Sequence, residues 1–272
     1  MDLQTLQRVW RHAETYSGEA ARALWNQRAC SFSRKQLPTL ESSPFLQQIA
    51  GCIPLDGSMT ALDIGCGSGI YALALAPLLR EAAGCDVSDR MIAAAERRAA
   101  DLGISNASFF CMDWETADLD ALGWRRRFDL VFAHMTPAIH SYRALDQMTA
   151  CAGRHCFLKR PARRRDLVLD QAMELLGLRT RGQDADESTE YVFCYLWRNG
   201  FEPQFRYGHE CWQEDRPLEE ALEWCLGSAA LQRPLTDREC REVRSFLERI
   251  AVDGRIRESV STTTVTIDWA VS

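Results

Sequence analysis

Asp63, Gly65, Gly67 and Gly69 alternate with Ile64, Cys66 and Ser68 directly after the apolar run Ala61 to Ile64, and an apolar helix is expected from about Tyr71. Glycines at every second position let a backbone turn with positive φ and approach a ligand with no Cβ in the way. Their exposed amides can meet a carboxylate, and a carboxylate at Asp63 can attract a cationic group, directly or through water. The spacing differs from the Gly-x-Gly-x-x-Gly that grips a dinucleotide pyrophosphate. Two further acids close the next apolar runs. Asp86 is placed to accept both hydroxyls of a ribose, and Asp113 to take an amino proton from a purine while Trp114 covers its π-face. The loop alone suggests a nucleotide-type ligand; acids in this order specify a nucleoside.

A second group of residues, His134 to Arg143, follows the fourth apolar run and includes Thr136, His140 and Tyr142. Two imidazoles six positions apart titrate near neutral pH and can activate a nucleophile or hold it in line. His134 and His140 are the candidate catalytic residues, with His134 nearest the reacting group. Thr136, His140 and Tyr142 are the candidate substrate contacts. Lys159-Arg160-Pro161-Ala162-Arg163-Arg164-Arg165 reads as the approach to a helix whose N-terminus repels cations. Two readings offset that placement: solvent with pairing to Asp184, Asp186, Glu187 and Glu190, or an anionic substrate or phosphate. Arg125 to Arg127 read as a solvated turn.

These residues need strand ends to present them. Short apolar runs are expected as strands at Ala61–Ile64, Ala82–Asp86, Ser108–Cys111, Phe128–Ala133 and Cys156–Leu158, with amphipathic helices between them. Ser88 caps a helix to about Ala100, and further helices are expected at Asp166–Leu176 and Tyr191–Arg198. Phe205–Trp212 follows, then helices at Leu218–Ala229 and Asp237–Ala251. The β-branched run Val260–Trp269 is expected as the last strand. The stretch from Met1 to about Gln48 reads as helical, Glu19–Ala29 being its second segment.

The 272 residues are 46% apolar, enough for a sizeable buried core. A net charge of −6 argues against nucleic acid as a partner. No signal peptide or membrane span is legible, so a cytoplasmic location is expected. Eleven cysteines without Cys-x-x-Cys spacing are expected as reduced, buried thiols with no metal bound. His209, Cys211 and Cys225 are the weighed exception.

The run Leu62 to Gly69, with Asp86, Asp113 and Trp114 at later strand ends, resembles the class I S-adenosylmethionine-dependent methyltransferases, particularly the small-molecule group. The likeness is good over Trp25 to Pro161 and looser beyond. It implies an α/β, Rossmann-like, seven-stranded, mostly parallel sheet with helices on both faces. An N-terminal helical cap (1–58) would precede a methyltransferase domain (59–272) carrying a helical insertion at about 217–252. It further implies that Gly65 and Gly67 line the methionine part of the cofactor and Asp86 the ribose, with Asp63 and Cys66 also among the cofactor-binding residues. Val87, Met91, Asp113 and Trp114 would form the adenine pocket, His134 would border the methyl group, and Trp25 and Arg28 would close over the cofactor. The reaction implied is in-line methyl transfer to a small molecule, with S-adenosylhomocysteine as product. The acceptor's chemistry and the oligomeric state stay open. RNA or protein methylation through Arg163 to Arg165, and a non-catalytic cofactor-binding regulator, are the alternatives. The family's Asn-Pro-Pro-Tyr signature is absent, which weakens a base- or glutamine-methylating assignment.

Overall fold

A computed structural model of the chain describes residues 1–10 and 17–271. Residues 11–16, inside the stretch expected to be helical, lie outside the described residues. Three helices open the chain: α1 (Leu3–Val9), α2 (Gly18–Ser33) and α3 (Pro44–Cys52). Each starts at a side-chain cap, Asp2, Ser17 and Ser43 respectively. The alternating core follows as β1 (Thr60–Ile64), α4 (Ile70–Leu75), β2 (Glu81–Asp86), α5 (Asp89–Asp101) and β3 (Ala107–Cys111), then α6 (Leu119–Leu122), β4 (Phe128–His134) and α7 (Tyr142–Cys151). The later elements are β5 (Ala152–Asp166), α8 (Leu167–Leu175), α9 (Arg181–Arg198), β6 (Gln204–Pro217), α10 (Leu218–Ala230), α11 (Asp237–Ile250) and β7 (Arg255–Ala270).

The seven strands form one sheet in the order β3-β2-β1-β4-β5-β7-β6, parallel except that β7 runs antiparallel to both β5 and β6. β1 is buried throughout and β4 nearly so, because helices cover both faces; that is why these strands read as continuous apolar runs. Strand order reverses between β1 and β4, which opens a crevice at their carboxyl ends. Both chemical segments of the sequence, Asp63–Gly69 and His134–Arg143, leave the sheet there.

The last three strands are longer than expected. β5 continues to Asp166, β6 to Pro217, and β7 begins at Arg255, with β6 and β7 in register as far as Pro217 opposite Arg255. The run Lys159 to Arg165 therefore belongs to a strand, and that strand leads directly into α8. Its added residues are charged, so no alternation of apolar and polar types marked them. On this extension α8, α10 and α11 build a second core around Leu169, Trp224, Val243 and Leu247, which Leu24 of α2 joins. Among the described residues no helix is long and apolar enough to cross a membrane.

The β1–α4 turn is packed to the backbone. Gly69 has φ +73°, and a Cβ there would stand 2.8 Å from the Phe109 ring and 2.9 Å from Ala95. Gly69→Ala is expected to destabilise the chain by about 1–3 kcal/mol through overpacking and left-handed strain. Urea unfolding midpoints check this, and an unchanged midpoint would show that the turn relaxes freely.

Candidate functional site

Three left-handed glycines, Gly65 (φ +67°), Gly67 (φ +54°) and Gly69 (φ +73°), shape the loop after β1. Gly65 and Cys66 donate to the Cys85 carbonyl at 2.8 and 3.0 Å. The Asp86 carboxylate then clamps the turn: Oδ2 accepts from the Gly67 amide and Oδ1 from the Ser88 amide, each at 2.9 Å. Burial raises the Asp86 pKa, against the pull of these amides. Asp63 is only 2% exposed and sits beneath the loop. Burial, then the neighbouring Asp86 charge, push its carboxyl well above the usual range. Cys66 is also buried, and its thiol is pushed well up for the same reason.

Helix α2 lies over this loop. Arg22 Nε donates to the Val87 carbonyl at 3.1 Å, and Asn26 accepts from Ser88 Oγ at 2.5 Å and donates to Asp89 at 3.0 Å. Ser68 Oγ donates to the Phe32 carbonyl at 3.0 Å. Gly67 thus faces a space edged by the Phe32 ring and Met91 Sδ, 3.8 and 3.9 Å from where a Cβ would stand. Trp25 packs edge-on to Phe32 at 6.1 Å. Trp25, Gly67, Asp86, Val87 and Met91 are therefore brought together. Arg28 turns the other way, onto Trp224 at 4.2 Å and to within 4.0 Å of Glu214.

At the end of β3 the half-buried Asp113 caps a 3-10 turn by accepting from the Glu115 amide at 3.1 Å. Trp114 lies in the core, 4% exposed, its indole N–H donating to the Ala144 carbonyl at 3.0 Å. The indole's polar edge is thus committed to α7.

His134, the last residue of β4, packs between Phe45 and Tyr71, with ring centroids 4.7 and 4.1 Å away. Burial, then the charges of Lys159 and Lys35, push its pKa down to about 3. Burial pushes Tyr71 up to about 12, so the Tyr71 hydroxyl keeps its proton, and it shares a hydrogen bond with His134 Nε2 at 3.0 Å. The next residue, Met135, takes φ +51°, a left-handed conformation rare outside glycine. Thr136 then comes onto the loop: a Cβ on Gly65 would stand 2.0 Å from its Oγ1.

The rest of that segment turns away from His134. His140 Nδ1 lies 2.7 Å from the Pro137 carbonyl, its Nε2 3.7 Å from Glu115, and its pKa falls to about 4 through burial. Tyr142 packs edge-on against Tyr195 of α9 at 5.2 Å, and its amide donates to the Trp10 carbonyl. Tyr71, Phe32 and Lys35 were not singled out from the sequence. The available signal was Tyr71's position in the first turn of the helix that follows the glycines.

The cationic run of β5 is not paired as expected. Lys159 pairs with Glu210 at 2.7 Å, Arg160 donates to Ser188, and Arg164 pairs with Asp166 at 2.5 Å. Among the described residues Asp186 accepts from the Arg163 amide, and Glu187 pairs with Arg179; the Asp184 side chain lies outside the described residues. Arg125 and Arg127 pair with Asp120 and Glu81 at the opposite end of the sheet.

A cleft of about 780 Å³ opens at that opposite end, lined by His155, Phe201 and Asp268, away from the glycine loop. Cys52, His155 and Asp268 place their ligand atoms within 4.8 Å of one another there. Arg206 forms an ion pair with Asp268 in the same place. His209 contacts Thr263 on the sheet, whereas Cys225 is buried in α10, so the weighed His209–Cys211–Cys225 set is not assembled.

Residues 61–157 match the family model for the methyltransferase domain. The fold matches YcgJ protein of Bacillus subtilis with a TM-score of 0.52 at 18% identity, over 82% of this chain and 96% of that one. It also matches a provisionally assigned methyltransferase of Bacillus halodurans C-125 (TM-score 0.51, 14% identity, 84% and 99% covered). A third match is a provisionally assigned type II methyltransferase of Anaeromyxobacter dehalogenans (TM-score 0.50, 17% identity, 83% and 94% covered). No curated protein matches the sequence. The chain has the fold of the class I S-adenosylmethionine-dependent methyltransferases. Its methyltransferase domain match begins in β1 and ends in β5.

The His134 pKa gives a signed expectation. The unfolded chain takes up this proton near pH 6.5 and the folded chain only near 3, so the group's effect on stability worsens as pH falls from about 6.5 toward 3. His134→Gln is expected to lose less stability than the wild type between these pH values. Denaturant midpoints against pH measure it, and parallel curves would refute a neutral, buried imidazole.

Proposed function

We propose that this chain transfers the methyl group of S-adenosylmethionine to a small-molecule acceptor and releases S-adenosylhomocysteine. One observation carries the reading: Asp86 clamps a glycine-rich loop at the β1–β4 crevice while α2 is hydrogen-bonded over it. The glycine turn at Gly67, bordered by Phe32 and Met91, and the adjacent carboxylate fit a nucleoside-bearing sulfonium ligand. In this reading Gly65, Cys66 and Gly67 hold its methionine part above Asp63, and Asp86 takes the ribose hydroxyls. Val87, Met91 and Asp113 bound the adenine, with Trp114 supporting that wall from the core. Trp25 and Arg28 belong to the covering helix.

When bound, the cofactor supplies a methyl carbon already activated by a sulfonium leaving group. The protein's task is then chiefly alignment. With its pKa near 3, His134 is a weak base that stays neutral, and it orients the acceptor with Tyr71 beside it. Thr136, packed on Gly65, is the nearer substrate contact. His140 and Tyr142 act at most through the shape of their loop. Arg164 is tied to Asp166 and half-buried while Arg163 and Arg165 stay exposed, so it is the net charge of −6 that argues against an RNA acceptor. Covering by α2 likewise favours a small acceptor over a polymer.

Incubation with methyl-labelled cofactor and a small-molecule extract is expected to yield a labelled low-mass product and S-adenosylhomocysteine. Bound cofactor without turnover would make the chain a binding protein instead. Asp86→Asn is expected to weaken S-adenosylhomocysteine binding by about 1–3 kcal/mol, the worth of a charged hydrogen bond. Calorimetry reads this, and unchanged affinity would sink the ribose assignment.

A further inference from the structure

Four arginines from distant parts of the chain converge on the second core. Trp224 of α10 is 8% exposed, and the guanidinium carbons of Arg28, Arg181 and Arg216 lie 4.2, 4.5 and 5.6 Å from its ring. Arg164 stands 5.3 Å over Trp212, and its charge is felt at both Arg28 and Arg181. Acids offset part of this. Asp166 takes both arms of Arg164 at 2.5 and 2.6 Å. Glu214 pairs with Arg216 and lies 4.0 Å from Arg28, and Glu220 is 3.9 Å from Arg216. Glu258 accepts from the Val168 and Leu169 amides.

Arg181 has no carboxylate within ion-pair distance among the described residues. It is also the first residue of α9, where the helix end already carries partial positive charge. Burial, then its arginine neighbours, pull its pKa down to about 10, and Arg28 likewise. The fold nevertheless holds it there. A Cβ on Gly182 would stand 2.2 Å from the Arg164 carbonyl oxygen, so glycine lets the first turn of α9 press onto β5. The Thr180–Gln183 capping box fixes the helix start.

This cluster borders the cofactor loop. Arg28 and Phe32 are one turn apart on α2, with the guanidinium 5.7 Å from the ring, and Phe32 edges the space at Gly67. Lys35 lies 4.0 Å over Phe32, and its charge reaches His134. Cations so placed repel one another and a sulfonium alike, and a bound oxyanion offsets both.

We infer that the arginine cage around Trp224 binds the oxyanion group, carboxylate or phosphate, of the methyl acceptor, with Arg181 as its unpaired ligand. Naming the bound molecule as acceptor rests on the methyl-transfer reading; the anion site does not. Trp224 thereby becomes the platform of a charged subsite.

Calorimetry on the full chain, with and without S-adenosylhomocysteine, would titrate inorganic phosphate and malonate separately. At least one is expected to bind saturably, and Arg181→Met to weaken that binding about tenfold or more, the loss of a charged hydrogen bond, with S-adenosylhomocysteine affinity unchanged. Preference for phosphate would mark a phosphate ester as acceptor, and preference for malonate a carboxylate. In anion-free buffer Arg181→Met is expected to melt above the wild type, because a half-buried cation held among like charges is removed. A lower melting temperature would make Arg181 a structural residue and overturn the inference. Binding of neither anion, or binding indifferent to the substitution, would overturn it as well. Parallel loss of S-adenosylhomocysteine affinity would assign the cage to the cofactor's own carboxylate. None of these titrations needs turnover, so a chain that transfers no methyl group still tests the cage.

Discussion

Between Ile64 and Ile70 the backbone enters the left-handed region three times, and at Gly65 and Gly69 neighbouring side chains occupy the volume a Cβ would need. Thr136 fills it from the β4 side, Phe109 and Ala95 from the β3–α5 side. The loop is thus the place where the two halves of the sheet meet through backbone. Asp86 converts that close approach into a fixed geometry by accepting from Gly67 and Ser88 at once. A shift of β2 relative to β1 would break both hydrogen bonds and expose a buried carboxylate. Site and sheet register are consequently one constraint.

Helix α2 extends that constraint to the second core. Its polar face is bonded to Val87, Ser88 and Asp89 at the start of α5. Its Leu24 packs on α10, where a Cβ on Gly227 would stand 2.7 Å from Leu24 Cδ1. Between these anchors sit Arg28 and Phe32, one facing Trp224 and the other Gly67. One helix therefore touches the cofactor loop and the arginine cage together. A displacement that opened either region would disturb the other, since the helix packs on both.

Much of this architecture was legible where burial on both faces forces continuous apolar runs. β1 to β4 fell close to their expected bounds, as did α5 behind its Ser88 cap, α10 and α11. The extensions of β5, β6 and β7 were not legible, because Arg163 to Arg165 and Gln213 to Arg216 carry charge on both faces of their strands. The start of α9 was missed for a related reason: residues 181 to 190 are polar, and the only local sign was the Thr180–Gln183 capping box. The site divides in the same way. Asp63, Gly65, Gly67 and Asp86 are close in sequence or end adjacent strands, so a motif could point to them. Tyr71 and His134, or Arg28, Arg181, Arg216 and Trp224, meet only through packing that no local pattern encodes. Aromatic residues at strand and helix ends suit either a ligand contact or a packing role: Trp114 is buried with its indole N–H donating to Ala144, whereas Tyr142 is half-buried and packs edge-on against Tyr195.

The electrostatics of the two regions bear on one another. Lys35 and Lys159 help keep His134 unprotonated, so the imidazole adds no further positive charge to a crevice proposed to receive a sulfonium. Arg28 and Lys35 nonetheless bring cations to its edge; Glu214 stands 4.0 Å from Arg28, while Glu210 is taken by Lys159. A neutral acceptor would leave the imbalance in place. An anionic one would remove it, joining the charge at Arg181 to the alignment that methyl transfer requires. In the proposed reaction the neutral His134 and the cationic cage would then divide the work: the cage would fix one end of the acceptor by charge, and the Tyr71–His134 pair would orient the other without taking up a proton.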